Sequence, residues 1–171
     1  IPKSIMASAD FGWLGRQNYI HSIAHPITTA RAFGSSVKAT VSELNAYKIM
    51  EGIKNDPDYM DAVKSKLNFS EVPGVRSGVK EEPFAGGNIA EKIPVVGSVV
   101  KASDRNMSVG LNEVRFRMFK DFKKKYPNAT AQDLKDYAEY LNVTTGRGKL
   151  GKFEQASGDL ASVLFSPRML V

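Results

Sequence analysis

The chain has no cysteine among its 171 residues. That absence excludes disulfide frameworks, thiolate metal sites and cysteine nucleophiles. Only two histidines are present, so most nucleophilic and acid–base arrangements lack a base. No apolar run approaches the roughly 20 residues that a membrane-spanning helix requires, and we predict no such helix. The chain opens without an initiator methionine or a signal-peptide pattern, and we expect it to be a segment of a longer chain.

What the chain does contain is typical of a globular protein. Apolar residues make up 42% of the sequence and charged residues 25%, which argues against wholesale disorder. Apolar residues recur with the helical period between glycine and proline punctuation, and no stretch alternates as a strand would. The sequence therefore predicts an all-α fold: an irregular domain of about six to seven helices with one long central helix at about 95–126.

Proline, glycine and capping residues set the expected helix boundaries. We place a long loop at 68–88, because its Pro-Gly and Gly-Gly pairs interrupt any period. It divides an N-terminal helical part (1–67) from a C-terminal helical part (94–171), with the joint at 68–93. The expected helices cover 11–23, 26–33 with Gly34 as its end, 37–53 with Ser35 or Ser36 as its cap, 57–67, one turn at 88–93, 95–126, 131–141 and 153–165. The helix at 57–67 is expected to face inward with Tyr59, Met60, Val63 and Leu67. Thr130 and Asp133 resemble a capping box at the start of 131–141, with Asp in place of the usual Glu or Gln.

The positive charge is concentrated in one segment. Residues 98–126 carry eight basic and three acidic side chains, whereas the whole chain has a net charge of +6. The apolar stripe of the long helix, from Val100 through Met107, Leu111 and Met118, predicts a basic far side. Such a side can attract nucleic acid or another anion, or it can be a solvated face whose lysines complement the helix dipole. The candidate contact residues are Lys101, Arg105, Arg115, Arg117, Lys120, Lys123, Lys124, Lys125, Arg147 and Lys149.

The segment 146–151 reads Gly-Arg-Gly-Lys-Leu-Gly and matches the pattern G-x-G-x-x-G. A dinucleotide site needs that pattern between a strand and a helix of a parallel sheet, and here a capped helix precedes it. We favour a turn in which Gly146, Gly148 and Gly151 supply positive φ angles between two helices. Free N–H groups beside Arg147 and Lys149 leave open a weak anion site.

The two histidines are candidate metal ligands. His21 and His25 are four residues apart, but His25 precedes Pro26 and is expected to leave the helix. A metal would need a further ligand, for which Asp10 is only a guess. We therefore expect partly exposed histidines and no metal site.

Carboxylates and aromatic residues offer two further patterns. The aspartates within 56–61 fall in the first turns of a helix, where they favour the dipole, and the glutamates at 81–82 lie in a loop. Neither group predicts paired-carboxylate catalysis. Trp13 with Phe11 could anchor a partner, but core packing is the favoured interpretation.

Two C-terminal stretches carry a resemblance. Residues 141–151 (Leu-Asn-Val-Thr-Thr-Gly-Arg-Gly-Lys-Leu-Gly) and 164–168 (Leu-Phe-Ser-Pro-Arg) are similar to the pattern N-x-[AT]-T-G-R-G-x-L-G … L-F-S-P-R. That pattern belongs to a domain of large polyvalent proteins from bacteriophages and mobile elements. The resemblance extends upstream to Ala7–Phe11, Arg16-Gln17, Ala32-Phe33 and Glu91–Gly97.

The resemblance implies a helical module of a very long phage protein, packaged in the virion and delivered into the host with the genome. We expect a non-enzymatic structural module, inside the capsid or tail, that binds core, ejection or portal proteins or copies of itself. The resemblance implies no catalytic residue and no cofactor. Two alternatives stay open. One is a helical module that binds nucleic acid non-specifically, and the other is an accessory domain of a virion-packaged RNA polymerase or other large phage enzyme.

Overall fold

The computed structural model describes residues 13–16, 18–72 and 94–146. These residues form helices joined by short connections, which confirms the all-α prediction. The helices are α1 (Trp13–Arg16), α2 (Tyr19–Ala24), α3 (Pro26–Val41), α4 (Glu43–Lys54), α5 (Tyr59–Lys64), α6 (Pro94–Lys125) and α7 (Ala131–Thr144).

The long helix α6 is the centre of the fold. Its 32 residues span about 48 Å at 1.5 Å per residue, as predicted for 95–126. Pro94 suits the first helical position, where no N–H is needed, and Pro127 follows the end of the helix. α3 makes the most extensive contact with α6, and α4, α5 and α7 also pack against it. A single core therefore includes helices from both sides of the predicted loop.

The middle of α6 is buried on every side. All residues from Asp104 to Phe116 are buried, including the predicted apolar positions Met107, Leu111 and Val114. The predicted basic far side is therefore wrong over this stretch, because neighbouring helices cover the polar side as well. Outside this stretch α6 reaches the surface at Lys101 and again in its last turns, where Lys124 and Lys125 are exposed.

One helix in the first half of the chain, α3, is longer than predicted, and the helix after it is correspondingly shorter. α3 continues through Gly34, Ser35 and Ser36, where a break was expected. A glycine inside a helix costs only about 1 kcal/mol, and the continuous packing of α3 along α6 outweighs that cost. The break comes instead at Ser42, whose backbone is extended (φ −148°, ψ 128°) and whose hydroxyl accepts a hydrogen bond from the N–H of Asn45 at the start of α4.

The predicted helices at 11–23 and 57–67 are also different in the structure. The first is divided into α1 and α2, and Asn18 lies between them. The second is the shorter α5, in which Ala62 is buried but Met60 and Val63 face outward, with 58% and 43% of their areas exposed. The prediction that Met60 and Val63 face inward is wrong.

α7 begins with the predicted cap. The hydroxyl of Thr130 accepts a bond from the N–H of Asp133 (3.2 Å), and the Asp133 carboxylate accepts one from the N–H of Thr130 (2.8 Å). Asp133 thus fills the place of the usual Glu or Gln of a capping box. Gly146 follows with a φ of 78°, as expected for a turn glycine. The predicted elements at 88–93 and 153–165, most of the loop at 68–88, and Gly148 and Gly151 lie outside the described residues.

Candidate functional site

Arg115, a predicted nucleic-acid contact, is entirely inside the protein. Its side chain is 0% exposed. The guanidinium Nε donates to Thr145 Oγ1 (2.7 Å), Nη1 donates to Ser70 Oγ (3.1 Å), and Nη2 donates to the carbonyl of Thr145 (3.1 Å). Arg115 therefore fastens the end of α7 and the extended segment at 68–72 to the middle of α6. It cannot contact a nucleic acid from this position, and the prediction is corrected.

Arg105 has a similar internal role and lies ten residues before Arg115 on α6. Its Nε donates to the carbonyl of Ala39 (3.2 Å) and its Nη2 to the carbonyl of Thr40 (3.3 Å). These carbonyls belong to the last turn of α3, where helices leave carbonyl groups without helical partners. Nη1 also forms an ion pair with Glu43 (3.0 Å). Arg105 thus caps α3 and holds the start of α4. The prediction that Arg105 is a surface contact for nucleic acid is wrong, because the residue is buried.

Lys120 and Lys123 connect α6 to the helix α5 and the turn before it. Lys120 pairs with Asp56, and Lys123 Nζ lies 2.5 Å from Asp58 Oδ1 and 2.6 Å from Asp61 Oδ2. The hydrogen bonds that Lys123 donates to Asp58 and Asp61 raise the pKa of Lys123, and the bond that Asp61 accepts lowers the pKa of Asp61. Burial opposes ionisation of Asp56, yet the bonds from Lys120 and the backbone keep its pKa below the usual value.

The remaining predicted contacts divide into three groups. Arg117 is half-buried and pairs with Glu113, one turn before it on α6. Lys101, Lys124 and Lys125 are exposed. Arg147 and Lys149 lie outside the described residues. Four of the eight described candidates, Arg105, Arg115, Lys120 and Lys123, are therefore used in contacts between helices. A charge count in the sequence cannot distinguish such contacts from exposure to solvent.

His21 is buried, and the expectation of partial exposure is wrong for it, whereas His25 is exposed. His21 Nε2 lies 2.6 Å from Thr144 Oγ1, and the ring meets Tyr140 edge-on with 5.8 Å between centroids. Burial, then the charges of His25 and Arg115, lower the pKa of His21 to about 4. The imidazole is therefore neutral near pH 7 and joins α2 to α7.

A metal site does not emerge around these histidines in the described residues. Within 13–16, 18–72 and 94–146, no three His, Asp or Glu side chains are close enough to hold an ion. The ring centroids of His21 and His25 are 6.4 Å apart, and Nε2 of His21 is used by Thr144. Asp10 lies outside the described ranges.

A groove of about 280 Å³ lies between α4 and α6. Ile49, Ile53 and Phe116 contribute apolar surface, and the other walls carry charges of both signs. Two of the wall pairs, Lys120 with Asp56 and Arg117 with Glu113, are ion pairs. These two pairs neutralise four of the lining charges and leave Lys48 as the lining charge outside them.

The outward face of α3 is apolar, which sequence reasoning missed. Val41 is 81% exposed, Ile27 69% and Val37 38%, and Ala30 and Gly34 between them are exposed as well. The buried side of the same helix contains Thr29, Ala32, Ser36 and Ala39. We call the five outward residues Ile27, Ala30, Gly34, Val37 and Val41 the outer stripe. Their spacing of 3, 4, 3 and 4 was the available signal, but the expected break at Gly34 divided it between two helices.

Comparison with known proteins gives no relative for this chain. No family model matches it, and neither the curated proteins nor the solved structures include a significant match. Among the helices of the described ranges, none is both long and apolar enough to cross a membrane. The functional assignment therefore depends on the geometry above and on the sequence resemblance.

Proposed function

We propose that this chain is a non-enzymatic structural module through which a bacteriophage virion-internal protein, of the core or ejection type, binds neighbouring virion proteins. One observation carries the proposal: several basic residues of α6 are used to hold the other helices. Arg105 fixes α3 and α4, Arg115 fixes the end of α7, and Lys123 fixes α5. Such internal fastening suits a module that keeps its shape while it bears load between neighbours.

The surface of the module supports a role in protein contacts. Several large apolar side chains are exposed on the helices, and those of the outer stripe share one face of α3. An exposed apolar face is a common mark of a protein interaction site. The resemblance to large phage proteins supplies the expected setting, in which core, ejection or portal proteins, or further copies of the chain, are the neighbours.

A nucleic-acid-binding function has less support from the geometry. Of the predicted contact residues that the structure describes, only Lys101, Lys124 and Lys125 are exposed. Arg105 and Arg115 are buried, and Lys120 and Lys123 are engaged by carboxylates. Phosphate binding releases counterions in proportion to the number of contacts, so fewer free cations mean weaker binding and a shallower dependence on salt.

Mass spectrometry of purified virions tests the proposed function. Trypsin releases a peptide spanning 106–115 from α6 and another spanning 153–168. Both should be present in particles of the encoding phage at a constant ratio to the capsid protein, after nuclease treatment and density-gradient purification. An abundant non-structural phage protein made in the same infected cells is the control for carry-over. Detection in the infected lysate but not in purified particles would overturn the proposal.

A further inference from the structure

The outer stripe is a solvent-facing apolar seam on an ordinary surface helix. At 3.6 residues per turn, its five side chains fall within an arc of about 80°. That arc lies opposite the face of α3 that packs on α6, where Ala32 and Ala39 are fully buried. A helix that only covers a core has polar residues on its outer side. α3 instead turns small residues toward the core and an apolar face toward solvent.

The shape of the stripe suits another helix. Its centre is formed by Ala30 and Gly34, and a β-carbon built on Gly34 would meet no atom within 4 Å. The larger side chains Ile27, Val37 and Val41 lie to either side. Small residues allow two helix axes to approach closely, while the flanking large residues pack into the partner's gaps. The spacing of 3 and 4 is that of a coiled-coil seam.

The charges beside the outer stripe indicate which kind of partner helix it would bind. Arg31 and Lys38 are exposed and follow one edge of the stripe, and α3 contains no acidic residue. Two acidic groups near α3 are engaged by other residues: Glu43 pairs with Arg105, and Asp121 accepts a 3.4 Å bond from Thr28. We therefore infer that the outer stripe docks an amphipathic helix of a partner protein whose apolar seam is bordered by Asp or Glu.

Charge also distinguishes this partner from a second copy of the chain. An antiparallel pair of α3 helices would bring four cationic side chains, two from Arg31 and two from Lys38, to the same edge. A parallel pair would leave both basic edges without opposite charges. An acidic helix places carboxylates opposite them, which steers association and fixes register.

A lipid surface fits the stripe less well than a helix does. Helices that lie in a membrane interface carry large apolar residues such as Trp, Phe and Leu, with basic residues on the polar face. The centre of the outer stripe consists of Ala30 and Gly34, and its cations follow one edge only. Ala and Gly bury little apolar area in a bilayer, whereas they are the residues that let helices approach.

The test uses the whole chain and two synthetic helical peptides of about 20 residues. Both peptides carry the same leucine and alanine seam, bordered by glutamate in one and by lysine in the other. Fluorescence anisotropy should show the glutamate peptide binding at least tenfold more tightly than the lysine peptide. Val37→Asp should weaken that binding at least tenfold, whereas Val143→Asp should not. Val37 and Val143 are a matched pair, since they are 38% and 39% exposed on different helices.

Charge reversal gives a readout that misfolding cannot imitate. Arg31→Glu combined with Lys38→Glu should reverse the preference, so that the lysine peptide binds more tightly. Equal binding of both peptides, or binding of neither, would overturn the inference. So would concentration-dependent dimers in sedimentation experiments that Val37→Asp abolishes, because a second copy would then be the occupant. Binding to phosphatidylserine vesicles that Val37→Asp abolishes would point to a membrane instead.

The inference depends on the proposed function only in taking the occupant to be a neighbouring protein, and the two can fail separately. If the chain is packaged but does not distinguish the peptides, the proposed function stands and the inference of an acidic partner is wrong. If the chain distinguishes the peptides but is absent from particles, the acidic partner stands and the proposed function is wrong.

Discussion

Trp13 lies directly against Gly110, so that a β-carbon at position 110 would fall 2.4 Å from Trp13 Cζ2. The indole N–H also donates to Asn106 Oδ1 (2.9 Å), one turn earlier on α6. Gly110 is therefore required for the close approach of a large side chain, because any other residue would push the indole from its place. Through these contacts α6 holds α1.

We predict that Gly110→Ala destabilises the protein by about 2 kcal/mol, since an added methyl group in a filled core forces neighbours to move. Gly52→Ala is the matched control, because it lies inside helix α4 with open space around its β-carbon. That change should stabilise the protein by about 0.5–1 kcal/mol. Urea denaturation measures both. A loss at position 52 as large as that at position 110 would contradict the packing role of Gly110.

Arg115→Ala should lower the free energy of unfolding by about 3 kcal/mol. The change creates a cavity and removes the hydrogen bonds that Arg115 donates to buried oxygens of Thr145 and Ser70. Lys125→Gln, an exposed change on the same helix, should alter stability by less than about 0.5 kcal/mol. If chemical denaturation gives the two variants equal stability, then Arg115 does not have the internal role described for it.

Stability should fall in mild acid because of His21. The pKa of His21 is lowered to about 4 by burial and by the charges of His25 and Arg115, so between pH 6.5 and 4 the unfolded chain binds a proton that the folded chain does not. Protonation therefore favours unfolding, and the contribution lost on going from pH 7 to 4 is up to about 3 kcal/mol. Thermal or urea unfolding across this range measures it.

Two variants assign that pH dependence to one residue. His21→Gln should remove most of the fall between pH 6.5 and 4, whatever its effect on stability at pH 7. His25→Gln, which changes an exposed side chain, should retain most of the fall. An unchanged slope in His21→Gln would show that another group is responsible.

Lys123→Gln should cost no more than about 1 kcal/mol, because its ion pairs with Asp58 and Asp61 are partly exposed to solvent. The difference from the unmodified protein should shrink in 1 M NaCl, where exposed charges are screened. Its neighbour Lys124 is exposed, and Lys124→Gln is the control that should change stability least. Equal losses in the two variants would mean that the ties between α5 and α6 contribute nothing measurable.

The sequence was sufficient for the elements that local signals determine. The period of 3 and 4 in α6, with prolines at either end, predicted its extent to within one residue, and the Thr130 and Asp133 pair predicted the start of α7. These signals act within a few residues of one another, so no tertiary information was needed.

Tertiary packing decided what the sequence could not predict. The local pattern predicted a helix end at Gly34. Because α3 packs along α6, the helix continues through Gly34 and ends at Val41, with Ser42 as its C-cap. The charge pattern predicted that Arg105 and Arg115 lie on the surface. Helices distant in sequence cover both residues instead, and they supply oxygens that accept hydrogen bonds from the guanidinium groups. The burial of a polar residue depends on partners that the local pattern does not contain, and this is why a basic face was wrongly expected over residues 104–116.

Hydrogen exchange of the backbone amides tests most directly whether α6 is an internal scaffold. Amides of residues 104–116 should be the slowest in the chain and should exchange only when the whole protein unfolds. Those of the last turn, at 121–125, should exchange much faster, since their side chains reach solvent. If residues 104–116 exchange as rapidly as 121–125, the long helix is a surface element and the proposed scaffold does not exist.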